Sequence, residues 1–497
     1  MKRNARTPRP EIGRRLGILC ALLAGLAVLA SDLPGVGQSR ARAQDASGTQ
    51  AGPHGAAFAA SLRYVETFYP RWFTYRQSSK GKSANNLVGP ADINPLYHSV
   101  VAINDDTLYV SAFVDRTDED NPPILTIPSP CDRLNPSNCV TYSLLTLDVY
   151  GDIFETGIPN TTGGIYALTA PGWTGTLPPG VTRIDVQDAF TVFIFRADKY
   201  SASGQNQIPE AELFRRSLHL ARLSEWMVNH DAGQADIKPI VPDFAIPFKQ
   251  IADDLIADDA IEFLRQLQEA VQSSTTPPLT RSEQLVADTF NRLFGDGRFN
   301  PDSPIDRARK SDFILGAQSA HARIVNNYLT HTGRTNWITF TNIGNWGRNY
   351  VDRSSITEFC QYCNNHSAAA YFHAFKDGQG ATLDASTGNG YILTFSKKQI
   401  PQAERFWSVT AYVPESIELV DNPDNKYVVA SYTPNLVTRP DGSISIYMFP
   451  ERPPWVPEPN WLPVPRGQFN IMLRVYGPEG TVARGTYVPP AIKAAAP

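Results

Sequence analysis

The sequence predicts an α+β protein, mainly β, with two jelly-roll-like β-sandwich domains and a helical segment between them. Three observations predict it. First, 497 residues exceed what one ordinary core holds. Second, short alternating apolar runs fill two separate stretches. Third, the period between those stretches is helical. Proline (40) outnumbers glycine (34), as suits strands joined by stiff turns.

In chain order, residues 1–43 read as a signal peptide. Lys2, Arg3, Arg6, Arg9, Arg14 and Arg15 precede the apolar run Leu16–Ala30, which is too short for a comfortable membrane span. Arg14-Arg15-Leu16 resembles part of a twin-arginine signal, and Ala41-Arg42-Ala43 suits signal peptidase. The expected location is periplasmic or secreted, by Sec or Tat export, with no stable membrane span after signal removal. Residues 44–60 are small and polar and are expected to be a disordered linker.

The first sandwich is placed at 61–205. After a helical start, the runs LYVSAFV, ILTIP, YSLLTLDVY, IYALTA, RIDVQ and TVFIFRA alternate between turns such as Asn121-Pro122-Pro123 and Pro178-Pro179-Gly180. Residues 206–365 form the helical segment, from PEAELFRRSLHLARLSEW to ILGAQSAHARIVNNYL. The second sandwich is placed at 366–490, with GYILTF, FWSVTAYV, YVVASY, SISIYMF and FNIMLRVYG as strands.

The net charge of −4 argues against a nucleic-acid partner. Export makes disulfides the expected state of the four cysteines outside the signal, Cys131, Cys139, Cys360 and Cys363. Cys131 and Cys139 bracket a turn containing Asn135-Pro136. Cys360 and Cys363 belong to Phe359-Cys-Gln-Tyr-Cys-Asn-Asn-His366. That motif does not fit a c-type haem anchor, because Asn364 follows the second cysteine. Ser355-x-x-Glu358 looks like a capping box, which predicts a helix through the pair. No cofactor is predicted. Zinc on Cys360, Cys363, His366 and His373 is the alternative use of these residues. Calcium at the oxygen-rich turns Asn104–Thr107 or Asp421–Asn425 is another.

Lys80-Gly81-Lys82-Ser83 lacks the leading glycine and the preceding strand of a phosphate loop, so it reads as a solvated loop. Asp105 and Asp106 are the candidates for carboxylate chemistry. Asn104, Trp407, Asn460 and Trp461 are candidate ligand contacts, because aromatic faces beside amides hold sugars by stacking and hydrogen bonding.

Several motifs resemble a bacterial family that joins two domains of unknown function, numbered 1254 and 1214. The first resemblance rests on Asn104-Asp105-Asp106-Thr107-Leu108-Tyr109 and Pro171-Gly172-Trp173-x-Gly175. The second rests on five motifs: Phe406-Trp407-Ser408-x-Thr410-x-Tyr412, Asn422-Pro423-x-Asn425-x-Tyr427, Asp441-Gly442-Ser443, Asn460-Trp461-Leu462-Pro463-x-Pro465 and Arg474-x-Tyr476-Gly477-Pro478. The resemblance implies two jelly-roll-like domains and carries over no reaction. It marks Asn104, Asp106, Thr107, Trp407, Asn460, Trp461 and Arg474 as shared positions, which makes Arg474 a further candidate ligand contact.

The expected function is binding or processing of an envelope or extracellular ligand such as carbohydrate. The alternatives are a carboxylate- or metal-dependent hydrolase, and a structural or assembly protein without a small-molecule site. A homo-oligomer is expected.

Overall fold

The computed structural model describes residues 55–79, 84–131, 139–296, 299–300 and 302–495. The stretch expected to be a signal peptide, most of the expected linker, the Lys80–Ser83 loop and the turn between Cys131 and Cys139 lie outside the described residues. The chain is α+β, and its described strands form four sheets.

Helix α1 (Ala56–Ser79) opens the described chain. It begins inside the stretch expected to be disordered. Its alanine-rich start favours helix, and Ala57 and Ala60 are buried. Tyr64, Phe68, Tyr69, Trp72 and Phe73 are fully buried as well, so α1 is wrapped by protein rather than lying on a surface.

Strands β1 (Val88–Pro90), β2 (Thr107–Asp115), β3 (Pro123–Ile127), β4 (Tyr142–Leu147), β5 (Gly164–Thr169), β6 (Thr182–Asp185) and β7 (Phe190–Asp198) follow. The segment expected to be helical then departs from expectation. After α2 (Ile208–Arg216), residues His219–Arg222 form β8, and α3 (Leu223–Val228) and β9 (Asp236–Lys238) come next. β8 pairs antiparallel with β3, and Leu218 and Leu220 enter the core between two sheets. Leu218 and Leu220 are two apart, the strand period, and pairing with β3 fixes that short stretch as a strand within a segment that is otherwise helical. The sheets run β4-β7-β2-β1-β9 and β6-β5-β3-β8. Leu108, Val110 and Val114 of β2 and Phe193 and Phe195 of β7 meet Leu125, Leu168 and Leu220 between them.

Helices α4 (Phe248–Asp258), α5 (Ala260–Gln272), α6 (Arg281–Phe294), α7 (Pro304–Thr330) and α8 (Tyr350–Cys360) pack around α1. Their ends obey local rules. Asp259, Thr280, Ser303 and Asn349 cap the N-termini of α5 to α8 through side-chain oxygens. Gly295 closes α6 at φ 84°, where a side chain would be strained. The capping box expected at Ser355 is not an N-terminus. Ser355 lies inside α8 and donates to the carbonyl of Ile324 at 2.8 Å.

The remaining strands are β10 (Ala369–Ala374), β11 (Tyr391–Phe395), β12 (Ala403–Tyr412), β13 (Val428–Ala430), β14 (Ile444–Phe449), β15 (Trp461–Pro463), β16 (Asn470–Pro478) and β17 (Lys493–Ala494), with the short helix α9 (Gly480–Ala483) after β16. They form sheets β10-β16-β12-β13 and β15-β14-β11-β17 around a shared core that includes Trp407, Leu393, Ile446 and Leu473. Most pairings are antiparallel, but β1–β9, β5–β6 and β14–β15 are parallel.

Alternation gives β2, β7, β12 and β16 a second buried face. Tyr109, Phe113, Val192 and Ile194 from the first sheet pair, and Tyr371, Phe406, Tyr412 and Tyr476 from the second, join the helices in one central core. The faces that meet there belong to different halves of the sequence, and the candidate site lies between them.

Candidate functional site at the junction of the two sheet pairs

The segment Ala102–Tyr109 binds the two halves together. Asn104 donates through its amide to the Tyr476 hydroxyl and accepts from Tyr109 at 2.6 Å. Tyr412 donates to the carbonyl of Ile103 at 2.7 Å. Arg474 donates to the carbonyl of Ala102 at 2.6 Å. Asp106 accepts from Ser408 at 2.7 Å and Tyr432 at 2.6 Å, both in the second half. Ala102 sits at φ 56°, a conformation that a non-glycine residue adopts only when its surroundings hold it.

Beside this latch is a cavity with about 60 Å³ of space for the centre of a water-sized sphere. Its apolar lining includes Val100, Ile103, Phe113, Val192 and Ile194, and its polar lining includes Asn104, Tyr109, Arg196, Tyr371, Arg474 and Tyr476. Arg196 donates to the Asn364 side chain at 3.0 Å and the Tyr362 carbonyl at 2.8 Å. Its guanidinium lies 5.5 Å from the centre of the Tyr109 ring. Arg474 is buried 5.6 Å from the centre of the Tyr412 ring, and its Nη1 has no hydrogen-bond partner. Burial works against the Arg474 charge, but Tyr412, Tyr476 and Asp106 more than offset it and raise its pKa.

The cysteines behave as the disulfide reading expects. Cys131–Cys139 and Cys360–Cys363 are both bonded. Cys360 ends α8, and Tyr362 at φ 62° turns the chain so that Cys363 returns to its partner. Tyr362 and Cys363 then form part of the cavity wall. Of the four zinc candidates, the two cysteines are joined to each other and the two histidines lie in separate settings. His366 Nε2 contacts the Val482 carbonyl at 2.9 Å. His373 sits between Tyr328 at 2.8 Å and Asn470 at 2.6 Å, and burial pushes its pKa down to about 3.

The other candidates separate into cavity and scaffold. Asn104 and Arg474 line the cavity. Asp105 is paired with Lys199, and Asp106 belongs to the latch. Burial raises the pKa of both carboxyls. Trp407 packs 5.4 Å from Phe395 inside the second sheet pair. Trp461 donates its indole N–H to the Phe449 carbonyl at 2.9 Å. The Asn460 amide is saturated by Val437 and Ser445 backbone groups at 2.9–3.0 Å. In the Asp421–Asn425 turn, Asn422 accepts from the backbone N–H of Lys426 at 3.0 Å.

Sequence reasoning missed Arg196, Tyr371 and Tyr476. A signal was available, because Arg196 and Arg474 each interrupt an apolar run within a strand, and a buried arginine needs a reason.

A second polar cluster pins the helices together. Glu358 of α8 accepts from Tyr69 of α1 and pairs with Lys249 of α4 at 2.6 Å and His321 of α7 at 3.5 Å. Asp253 of α4 pairs with the same lysine at 2.5 Å and the same histidine at 3.1 Å. Donor atoms of Asp253, His321 and Glu358 lie within 4.8 Å of one another, a spacing that could hold a metal. Lys249 already supplies a cation between the two carboxylates.

Fold and site together define a chain whose two sheet pairs and helices share one central core, with a cavity where the sheet pairs meet. Family models match in that order: a protein of unknown function, DUF1254, over residues 84–222, and a protein of unknown function, DUF1214, over residues 368–480. The chain belongs to this two-domain family. Its structure is similar to that of the VPA0106 protein from Vibrio parahaemolyticus, with a TM-score of 0.55 at 18% identity, covering 88% of this chain and 100% of that one. At that identity the likeness concerns the fold alone. A putative uncharacterized protein from Burkholderia cenocepacia aligns at 13% identity and a TM-score of 0.40, over 88% of this chain and 94% of that one. A comparison with curated proteins gave no match. No helix among the described residues is long and apolar enough to cross a membrane.

Proposed function

We propose that the chain is an exported binding protein, two jelly-roll-like sandwiches enclosing one small-molecule site, and that its ligand enters the cavity between the halves. The observation that carries this reading is a cavity lined by buried polar groups, including a guanidinium nitrogen without a protein partner. Ligand sites are typically apolar hollows with a few convergent polar groups. The two disulfides support an oxidising compartment. The family motif Asn104–Tyr109 then has one role in two parts: it joins the domains and forms one wall of the site. Carbohydrate stacking on Trp407 and Trp461 has less support, because both indoles are buried in packing. Carboxylate hydrolysis also has less support, because Asp105 and Asp106 are held by protein partners.

The test is a fragment screen by thermal shift on wild type and Ser111→Trp. Ser111 lines the cavity, and an indole there would fill it. The reading expects ligands that raise Tm in wild type and lose that effect in the variant. Ligands that persist in the filled variant, or a broad fragment set without any, contradict it.

A further inference from the structure

One wall of the cavity offers hydrogen-bond donors without acceptors. Residues two apart on a strand share a face, as do directly paired residues on neighbouring strands. Arg474 and Tyr476 are therefore on the same face of β16, and Tyr371 joins them because β10 pairs it with Arg474. All three line the cavity.

Their hydrogen bonds are unbalanced. Arg474, 2% exposed, uses Nη2 on the Ala102 carbonyl and leaves Nη1 unpartnered. The Tyr476 hydroxyl accepts from Asn104. The Tyr371 hydroxyl accepts from the backbone N–H and the side-chain amide of Asn364, both at 3.0 Å. Among the described residues, neither phenol proton has a protein acceptor. Nearby acceptors are already engaged: Asn104 Oδ1 by Tyr109, Asn364 Oδ1 by Arg196, and Asp106 by Ser408 and Tyr432. Neither Arg474 nor Arg196 makes a salt bridge to a described carboxylate. Burying donors without acceptors is costly, and a buried guanidinium more so. A wall built this way is complementary to an acceptor that carries negative charge.

We infer that this wall is an oxyanion site and that the cavity takes a small organic carboxylate. The carboxylate oxygens accept from Arg474 Nη1 and the Tyr371 and Tyr476 hydroxyls, and the apolar body lies against Ile103, Val192 and Ile194. A monoanion matches the one unpartnered guanidinium nitrogen, and the aliphatic lining favours an organic acid over inorganic phosphate. The inference rests on the cavity being a ligand site, as proposed above.

The test is titration calorimetry at pH 7 with carboxylates and their neutral amides: acetate against acetamide, and benzoate against benzamide. Each pair differs in charge and hardly in shape. The expected result is at least one carboxylate bound about tenfold or more tighter than its amide, a difference of about 1.4 kcal/mol. Tyr371→Phe and Tyr476→Phe remove one donor each while keeping the ring, and should each weaken that carboxylate by about fivefold and leave the amide unchanged. Arg474→Lys tests the charge without deleting it and should retain part of the preference. Amides that bind as well as carboxylates, and lose binding in Ser111→Trp, would overturn the oxyanion site while leaving the cavity reading intact. No binding of either series, or carboxylate binding undiminished in Ser111→Trp, would overturn the inference, and the fragment screen then decides the cavity reading separately.

Discussion

His321 should make this protein lose stability above neutral pH. Its imidazole lies among Asp253, Glu358, Lys249 and Tyr69. Burial alone would lower its pKa, but the pairings with Asp253 and Glu358 outweigh burial and raise it from 6.5 to about 9. A histidine whose folded pKa is raised stabilises the fold fully below its unfolded pKa, and that contribution fades as pH rises through the folded value. The window is therefore about pH 6.5 to 9. At 1.36 kcal/mol per unit, the change between pH 7 and pH 9.5 is roughly 2 kcal/mol, taken as an upper range because the ring is partly solvated. Asp148 and Glu418, raised by burial to about 7, titrate inside this window and add a small loss of stability that wild type and a His321 variant share. The assay is urea unfolding of wild type and His321→Gln at pH 7 and 9.5. Wild type should lose roughly 2 kcal/mol more than the variant over that interval. Equal pH dependence in both proteins would refute the charged-histidine account of the cluster.

Further outcomes follow from the same geometry. Glu358→Gln leaves Lys249 and His321 facing Asp253 alone, so it should cost about 3–5 kcal/mol in chemical denaturation, the usual effect of breaking a buried pair. Replacing Cys360 and Cys363 together by serine opens a very short loop and should cost about 2 kcal/mol on the chain-entropy estimate, measured the same way. The same replacement should weaken any cavity ligand, because Tyr362 and Cys363 form part of the wall. Asn104→Leu removes the bonds to Tyr109 and Tyr476 at the junction. It should increase amide hydrogen exchange in β2 and β16 together, whereas faster exchange in only one of them would contradict the latch.

Much of the architecture was legible because it depends on local rules. Alternation marked nearly every long strand, and the helix ends the structure shows follow local rules too: Thr280 and Ser303 cap through side-chain oxygens, and Gly295 stops a helix in the left-handed conformation. β8 is only four residues long between helical stretches, so the two-residue spacing of Leu218 and Leu220 was hidden in a helical segment, and pairing with β3 is what makes it a strand. The Trp407 and Trp461 candidates show a different limit. A tryptophan beside a polar residue reads the same in sequence whether its face meets a sugar or a phenylalanine, and burial decides between them. The site was half legible. Asn104 and Arg474 stood out by motif, but their convergence with Tyr371 and Arg196 depends on β7, β10, β16 and the segment before β2, from two distant halves of the sequence. No local spacing encodes that meeting. The Cys360–Cys363 bond was hard to judge for a similar reason, since it depends on where α8 stops and on the positive φ of Tyr362.

The most direct test of the central claim is a high-resolution crystal structure of the protein grown with the tightest-binding carboxylate from the calorimetric series. The account predicts that ligand in the cavity, with a carboxylate oxygen within hydrogen-bond distance of Arg474 Nη1 and the Tyr371 or Tyr476 hydroxyl. A cavity holding only water, with Arg474 Nη1 bonded to a protein acceptor and the carboxylate bound elsewhere, would contradict it.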